Sequence, residues 1–364
     1  MKILFVEPFY TGSHQQWMEG YRQFSGHELR VLSLPGRHWK WRMYGGAVAL
    51  AEQFLQLQFQ PDVIIASDML DLGTFLALTR TKSAATPCYL YFHENQITYP
   101  WSPQDKDVQL KRNNQYGFIN YTSALAADRV FFNSEYHRTS FIQALPNFLK
   151  QFPDHKGIHN VECIKNKSSV LPLGMHLQRL DHCKCATANA KPIVLWNHRW
   201  EYDKNPDLFF ETLFRIDRSG IDFELVVLGE SFQKTPPIFK EAQHILGDKI
   251  IHFGYAANFE DYANWLWKAD VLPVTSNQDF FGISAVEGMY AGCYPLVPNR
   301  LAFPSHLPWQ LREEFVYDTD EAFYLKLKAI LSRKNLIVPE EIRNFVAQYD
   351  WSVMAPIYDK TFEE

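Results

Sequence analysis

The chain has no G-x-G-x-x-G after its first apolar run, where Tyr10-Thr11-Gly12-Ser13-His14 stands instead, and no G-x-x-x-x-G-K-[S/T] loop. Dehydrogenase and P-loop hydrolase readings thereby lose their main support. No stretch approaches the roughly 18 apolar residues of a spanning helix. The apolar N-terminal run Ile3–Val6 stops at Glu7, too soon for a signal-peptide core. A cytoplasmic protein without a membrane partner is expected. Cysteine is scarce: five residues, an odd number spread over 364, fit reduced thiols better than a disulfide framework. Excess positive charge is lacking too, and a formal net charge of −5 argues against a surface that binds nucleic acid all over.

What is present suits packed cores, with 46% hydrophobic, 15% aromatic and 21% charged residues. The length exceeds that of a single growing core, so two domains are expected. Short β-branched or aromatic runs alternate with helix-length segments in both halves. Strands are predicted at 3–6, 29–34, 62–66, 88–92, 129–132 and 169–173, then at 193–196, 223–228, 250–253, 271–275 and 294–297. The intervening predicted helices are 14–24, 46–59, 105–127 and 135–149, then 206–219, 236–246, 259–268 and 282–291. Near-continuous apolar strands separated by helices imply an α/β architecture of two Rossmann-like domains, each a parallel sheet covered on both faces. The division expected is 1–175, a polar linker at 176–191, 192–345, and a helical C-terminal segment 346–364 that packs back on the first domain. Chemistry is expected at the carboxyl ends of the strands, in a cleft between the domains.

The most informative segment runs from Val274 to Met289. A strand enters a loop, Gly282 opens a helix, and Glu287 lies about one turn inside it. Free N–H groups at Gly282, Ile283 and Ser284, beside Phe281, could receive a diphosphate. Glu287 could accept from ribose hydroxyls and Asp279 from sugar hydroxyls; the plainer account of Glu287 is a carboxylate complementing the helix dipole. In Leu195 to Pro206, Arg199 and Lys204 flank a loop that ends at the helix start Asn205-Pro206. They suit a diphosphate, or are simply cations of a solvated loop.

Asp279 and Glu287, with seven residues between them, resemble the E-x7-E element of the retaining GT-B glycosyltransferases of family 4, and Arg199 and Lys204 resemble that family's Arg and Lys. The first Glu is here Asp279 and the following Gly is Phe280, so a shorter carboxylate must sit closer to the sugar. Phe132-Asn133-Ser134-Glu135 and the Gly12 loop are similar as well. More narrowly, Phe5 to His14, Tyr91-Phe92-His93-Glu94-Asn95-Gln96 and Trp196 to Glu201 resemble the tRNA-queuosine α-mannosyltransferases. That resemblance implies a GT-B fold whose two parallel sheets face across a cleft. It further implies transfer of mannose from GDP-mannose to queuosine in the anticodon of aspartate tRNA, with no metal or other cofactor and no obligate protein partner.

On this reading His93, Arg199, Lys204 and Asp279 are catalytic. Gly12, Ser13, His14, Phe281, Gly282, Ile283, Ser284 and Glu287 join Arg199, Lys204 and Asp279 in holding the donor. The resemblance puts His93 near sugar and acceptor, with Glu94 and Asn95 beside it; pattern alone gives a loop histidine. His14 could face the donor phosphates or be satisfied by the backbone at a helix terminus. Arg37, Trp39, Lys40, Trp41 and Arg42 form a run of cations and rings suited to phosphate contact and base stacking, or a surface loop whose two tryptophans pack inward. Lys111 and Arg112, on the long predicted helix, would extend that basic surface. His176, His182, Cys183 and Cys185, with Cys163, lack the partner knuckle of a zinc site, and a polar linker accounts for them better. The alternatives are a GT-B enzyme acting on a lipid or polysaccharide, and a catalytically silent scaffold binding nucleic acid or protein.

Overall fold

The computed structural model describes all residues except 103–104, 185–188, 231–234 and 334–335. It separates into two compact units, Met1–Met175 with Trp351–Glu364, and His176–Asp350.

In the first unit β1 (Lys2–Tyr10), β2 (Glu28–Pro35), β3 (Val63–Ser67), β4 (Cys88–Phe92), β5 (Arg129–Phe132) and β6 (Ser168–Val170) form one parallel sheet in the order β2-β1-β3-β4-β5-β6. Ile3, Leu4, Phe5 and Val6 are fully buried, as are Ile64, Ile65 and Ala66, because helices cover both faces of the sheet. The order places the ends of β1, β3 and β4 side by side. The C-terminal helix Trp351–Glu363 belongs to this unit. Trp351 lies where a Cβ on Gly20 would come within 2.0 Å of its indole. Asp359 accepts from Tyr21 Oη and Ser25 Oγ at 2.6 Å and from Gly26 N at 2.9 Å.

The second unit repeats the design with β7 (Ile193–Trp196), β8 (Glu224–Leu228), β9 (Ile250–Gly254), β10 (Val271–Pro273), β11 (Tyr294–Pro298) and β12 (Val316–Tyr317). The parallel order is β12-β11-β10-β7-β8-β9. The loops leaving β7 and β10 are therefore neighbours.

Four expectations need revision. The helix predicted from 46 begins at Trp39 and runs to Gln56, taking in Trp39, Lys40, Trp41 and Arg42 of the basic and aromatic run and leaving Arg37 before it. The helix predicted over 105–127 is two, Lys106–Gln109 and Asn114–Ala126, because Lys111 has φ 54°, a left-handed conformation that ends an α-helix. The stretch 176–191 is not simply a linker: Gln178–Cys183 is a 3₁₀ helix whose Leu180 is buried and accepts from Trp267 Nε1 at 2.7 Å. The C-terminal segment parts from the second unit at Trp351 rather than at 346, since Asp350 stays there and accepts from Gln178 N at 2.9 Å. Cys185 lies outside the described residues.

Candidate active site

In the first unit a polar cluster fills the carboxyl ends of β1, β3, β4 and β5. Glu7 is fully buried; its carboxylate accepts from Phe9 N and lies 2.8 Å from His14 Nδ1. Burial opposes protonation of His14, but the Glu7 carboxylate outweighs it and pushes the imidazole up to about 9. The His14 ring lies 4.2 Å from that of His93, centroid to centroid. Burial and the His14 charge hold His93 well below its ordinary pKa, so a cationic and a neutral imidazole stand in contact. Both ring nitrogens of His93 are buried without a hydrogen-bond partner among the described residues.

Below them, Asp68 Oδ1 accepts from His93 N at 2.8 Å while its Oδ2 is buried and unpartnered. Burial raises this carboxyl well above the usual range, although the His14 charge pulls the other way. Asn133 fixes the next strand end: its Nδ2 donates to His93 O at 2.9 Å, and its Oδ1 meets His137 Nδ1 at 2.9 Å. Buried polar atoms without partners are costly, which makes His93 and Asp68 candidates to meet polar groups from outside the chain.

Gly12 and Ser13 are exposed at the start of the helix Gly12–Phe24, beside this cluster. Glu94 is half-buried and accepts from Gln96 Nε2 at 2.9 Å. Asn95 departs from its expected acceptor role. It is fully buried and its oxygen accepts from Ile97 N and Thr98 N, because an Asn at the head of a turn satisfies the backbone two and three residues on.

In the second unit the loops after β7 and β10 converge on the helix Ile283–Tyr290. Gly282, its N-cap, has φ 92°, and a Cβ there would come within 2.7 Å of the Phe303 ring. Only glycine fits on both counts. Ala285 N and Val286 N both donate to Gly282 O, which leaves the N–H groups of Ile283 and Ser284 as the first-turn donors suited to an anion. Ser284 is tied to the β7 loop: its carbonyl accepts from Asn197 Nδ2 at 2.9 Å, and its hydroxyl meets His198 Nδ1 at 2.8 Å. Burial lowers His198 to about 4, and its Nε2 is buried without a partner. Phe281 O meets His306 Nε2 at 2.6 Å.

Glu287 is half-buried one turn on. Its Oε2 accepts from Tyr262 Oη at 2.6 Å, and burial pushes the carboxyl up to about 7 despite that bond. Arg199 has its side chain half exposed and pairs with Glu201 at 3.3 Å. Lys204 is not the cation of a solvated loop, the plainer of its two readings. It is buried, donates to Gln278 O at 2.7 Å and to Asp279 Oδ2 at 3.0 Å, and lies 3.2 Å from Asp203 Oδ2. A buried ammonium needs paired carboxylates, and both flanking loops supply one.

The two halves match two families. Residues 2–175 match the tRNA-queuosine alpha-mannosyltransferase N-terminal family, and residues 180–336 match Glycosyl transferases group 1. The tRNA-queuosine alpha-mannosyltransferase of Drosophila melanogaster is 36% identical over 334 residues, 89% of this chain and 85% of the relative. The chain belongs to the tRNA-queuosine α-mannosyltransferase family. It is a glycosyltransferase of GT-B fold. Solved structures similar in fold include HepE from Anabaena in complex with UDP, at TM-score 0.68 and 16% identity over the whole of both chains. Another is an α,α-trehalose-phosphate synthase from Burkholderia xenovorans, at TM-score 0.69 and 11% identity over all of this chain and all of that one.

The expected acceptor residues divide. Trp39 packs inward, its ring 5.2 Å from Tyr116 and 5.7 Å from Trp101. Lys40 is paired with Asp105 and Asp107 at 2.6 and 2.5 Å, so its charge is matched within the protein and it leaves the phosphate-facing set. Trp41 is 64% exposed, Arg37 is exposed, and Arg42 donates to Pro35 O. Lys111 and Arg112 are exposed in a turn rather than on a helix. Among the described residues no helix is long and apolar enough to cross a membrane, and no cluster of His, Cys, Asp and Glu could hold a metal.

Sequence reasoning missed Asp68, His198, Tyr262 and His306. Asp68 follows an apolar strand directly, as His93 does, and His198 lies one residue further past its strand, so that position was a usable signal. Tyr262 and His306 reach the site from neighbouring elements and carry no local mark.

Proposed function

We propose that this chain is a retaining mannosyltransferase that moves mannose from GDP-mannose to queuosine in the anticodon of aspartate tRNA. The observation that carries the donor half is the convergence, in the second unit, of the Gly282 helix terminus, Glu287 and the Lys204–Asp279 pair. The terminus suits a diphosphate, Glu287 suits ribose hydroxyls, and Asp279, held by Lys204, suits a sugar hydroxyl. The acceptor half rests on the family.

In the reaction the bond between the mannose anomeric carbon and the β-phosphate oxygen breaks. A bond from the queuosine hydroxyl oxygen to that carbon forms on the same face, and the hydroxyl proton passes to the departing phosphate oxygen, giving GDP. Arg199 and the helix terminus stabilise charge that grows on the diphosphate, the preorganised electrostatics that lower such barriers. The contacts of Lys204 keep the Asp279 carboxylate in one orientation, so the sugar is positioned without loss of entropy at the moment of reaction. No metal takes part in this scheme.

The test is incubation of the full chain with a panel of nucleotide sugars and queuosine-containing tRNA, followed by nucleoside mass analysis. An α-mannosylated queuosine from aspartate tRNA, formed with GDP-mannose and insensitive to chelator, is the expected result. Product from another donor, a β-linked product, or loss of activity to chelator with recovery on adding a divalent ion would overturn the corresponding part.

A further inference from the structure

The first unit carries a groove of about 470 Å³ between the helices Trp39–Gln56 and Asn114–Ala126 and the turn that precedes the second of them. Tyr44, Phe118 and Phe152 supply rings, Gln115 an amide, and Lys111 and Arg112 the only charges among its lining residues. Phe118 is 41% exposed and packs at a tilt of 59° against Phe152 with centroids 5.1 Å apart, so part of its ring remains open. Trp41, three residues before Tyr44 and therefore on the same side of its helix, adds a further open ring. The nearby carboxylates Asp105 and Asp107 are matched by Lys40, which leaves Lys111 and Arg112 to set the sign of the groove.

The turn itself is unusual. Lys111 N donates to Val108 O at 3.1 Å and Arg112 N to Asp107 O at 2.7 Å, the bonding of a helix that closes through a left-handed residue. That residue is normally glycine, yet Lys111 occupies it at φ 54°. A side chain held at a strained position, where glycine would be less costly, points to a use for the side chain.

We infer that this groove holds an unpaired nucleotide of the acceptor RNA, its base against Phe118 and Tyr44 and its phosphate between Lys111 and Arg112. The inference rests on the tRNA acceptor proposed above. Rings beside cations are what single-stranded RNA requires, since bases stack on side-chain rings while phosphates are neutralised. The basic surface is thus centred on the 111–118 segment and not on Trp39 and Lys40.

The experiment measures binding of queuosine-containing tRNA to the full chain at two salt concentrations, with GDP-mannose binding by calorimetry and melting temperature as controls. Lys111→Glu with Arg112→Glu should weaken tRNA binding by at least tenfold and shallow the salt dependence by nearly two phosphates. Phe118→Ala should weaken it about 5- to 100-fold, and Phe118→Tyr should restore it. Lys111→Gly should melt at or above the wild-type temperature yet bind tRNA less well, a combination that a purely structural lysine would not give. GDP-mannose affinity should stay unchanged throughout. Folded variants that bind tRNA as tightly as wild type, while wild type modifies it, would overturn the groove and leave the proposed function standing. The same holds if they keep tRNA but lose a copurifying protein. Wild type that neither binds nor modifies tRNA would overturn both.

Discussion

The two units build their polar sites from the same place in the same fold, the ends of parallel strands, but compensate buried charge in opposite ways. In the first, Glu7 and His14 neutralise each other seven residues apart, and His93 and Asp68 are left with unpartnered atoms. In the second, the cation Lys204 is enclosed by carboxylates from two loops, and on the proposed function anion binding falls to Arg199 and the backbone of a helix terminus. A parallel sheet brings loops together without prescribing which charge each will carry. The first site is therefore set by side chains tied to single main-chain groups at Phe9 and His93, and the second by side chains plus the dipole of a helix terminus.

The sharpest break of this comparison is Lys204→Ala. It leaves Asp203 and Asp279 facing one another without their cation, and removal of one member of a buried ion pair costs about 3–5 kcal/mol. Melting temperature should fall steeply and turnover with it. A variant with wild-type stability would mean that the pair is solvated and the enclosure unimportant.

His14→Ala tests the first site and should cost about 1–3 kcal/mol, the penalty for a buried acceptor left unmade. The pH dependence carries the sign. An imidazole raised from 6.5 to about 9 binds more protons folded than unfolded, so its contribution is complete below about pH 6.5 and disappears as pH rises through 9. Wild type should lose stability over that window and His14→Ala should not. Parallel curves for the two proteins would remove the Glu7–His14 pair as the cause.

Glu287→Gln should have the smallest effect on the fold and places the second site in a different window. A carboxyl raised from 4.5 to about 7 by burial also binds more protons when folded, so stability falls as pH rises from about 4.5 to 7 and then levels. The glutamine variant should be flat there and at least as stable as wild type above pH 7. It should also bind GDP-mannose roughly tenfold more weakly, about the worth of one hydrogen bond to a charged group. Calorimetry giving wild-type affinity would remove Glu287 from the donor site.

Much of this was legible before any coordinates. The apolar runs at 3–6, 63–66 and 193–196 could only be buried strands, and their alternation with helices called for two parallel sheets. Gly282, with Asp279 before it and Glu287 after it, carries its geometry in its spacing, since a strand, a loop and one helical turn bring all three to one end. The break at Lys111 was not legible, because nothing in its neighbours forbids a continuous helix and the left-handed turn is stabilised only once the chain has folded. Neither was the division of one basic and aromatic run into a half-buried Trp39 with a neutralised Lys40 and an exposed Trp41.

The sequence by itself determined the period of each element, the position of the helix terminus and the family motifs, because these depend on residues within a turn or two of one another. Tertiary structure alone decided which charges are matched and which polar atoms are left open. His93 meets Asp68 because β3 lies beside β4, Lys204 meets Asp279 because β10 lies beside β7, and Tyr262 meets Glu287 from a separate helix. Electrostatic compensation in a low-dielectric interior depends on distance in space, and for these pairs that distance follows from strand order rather than from separation along the chain.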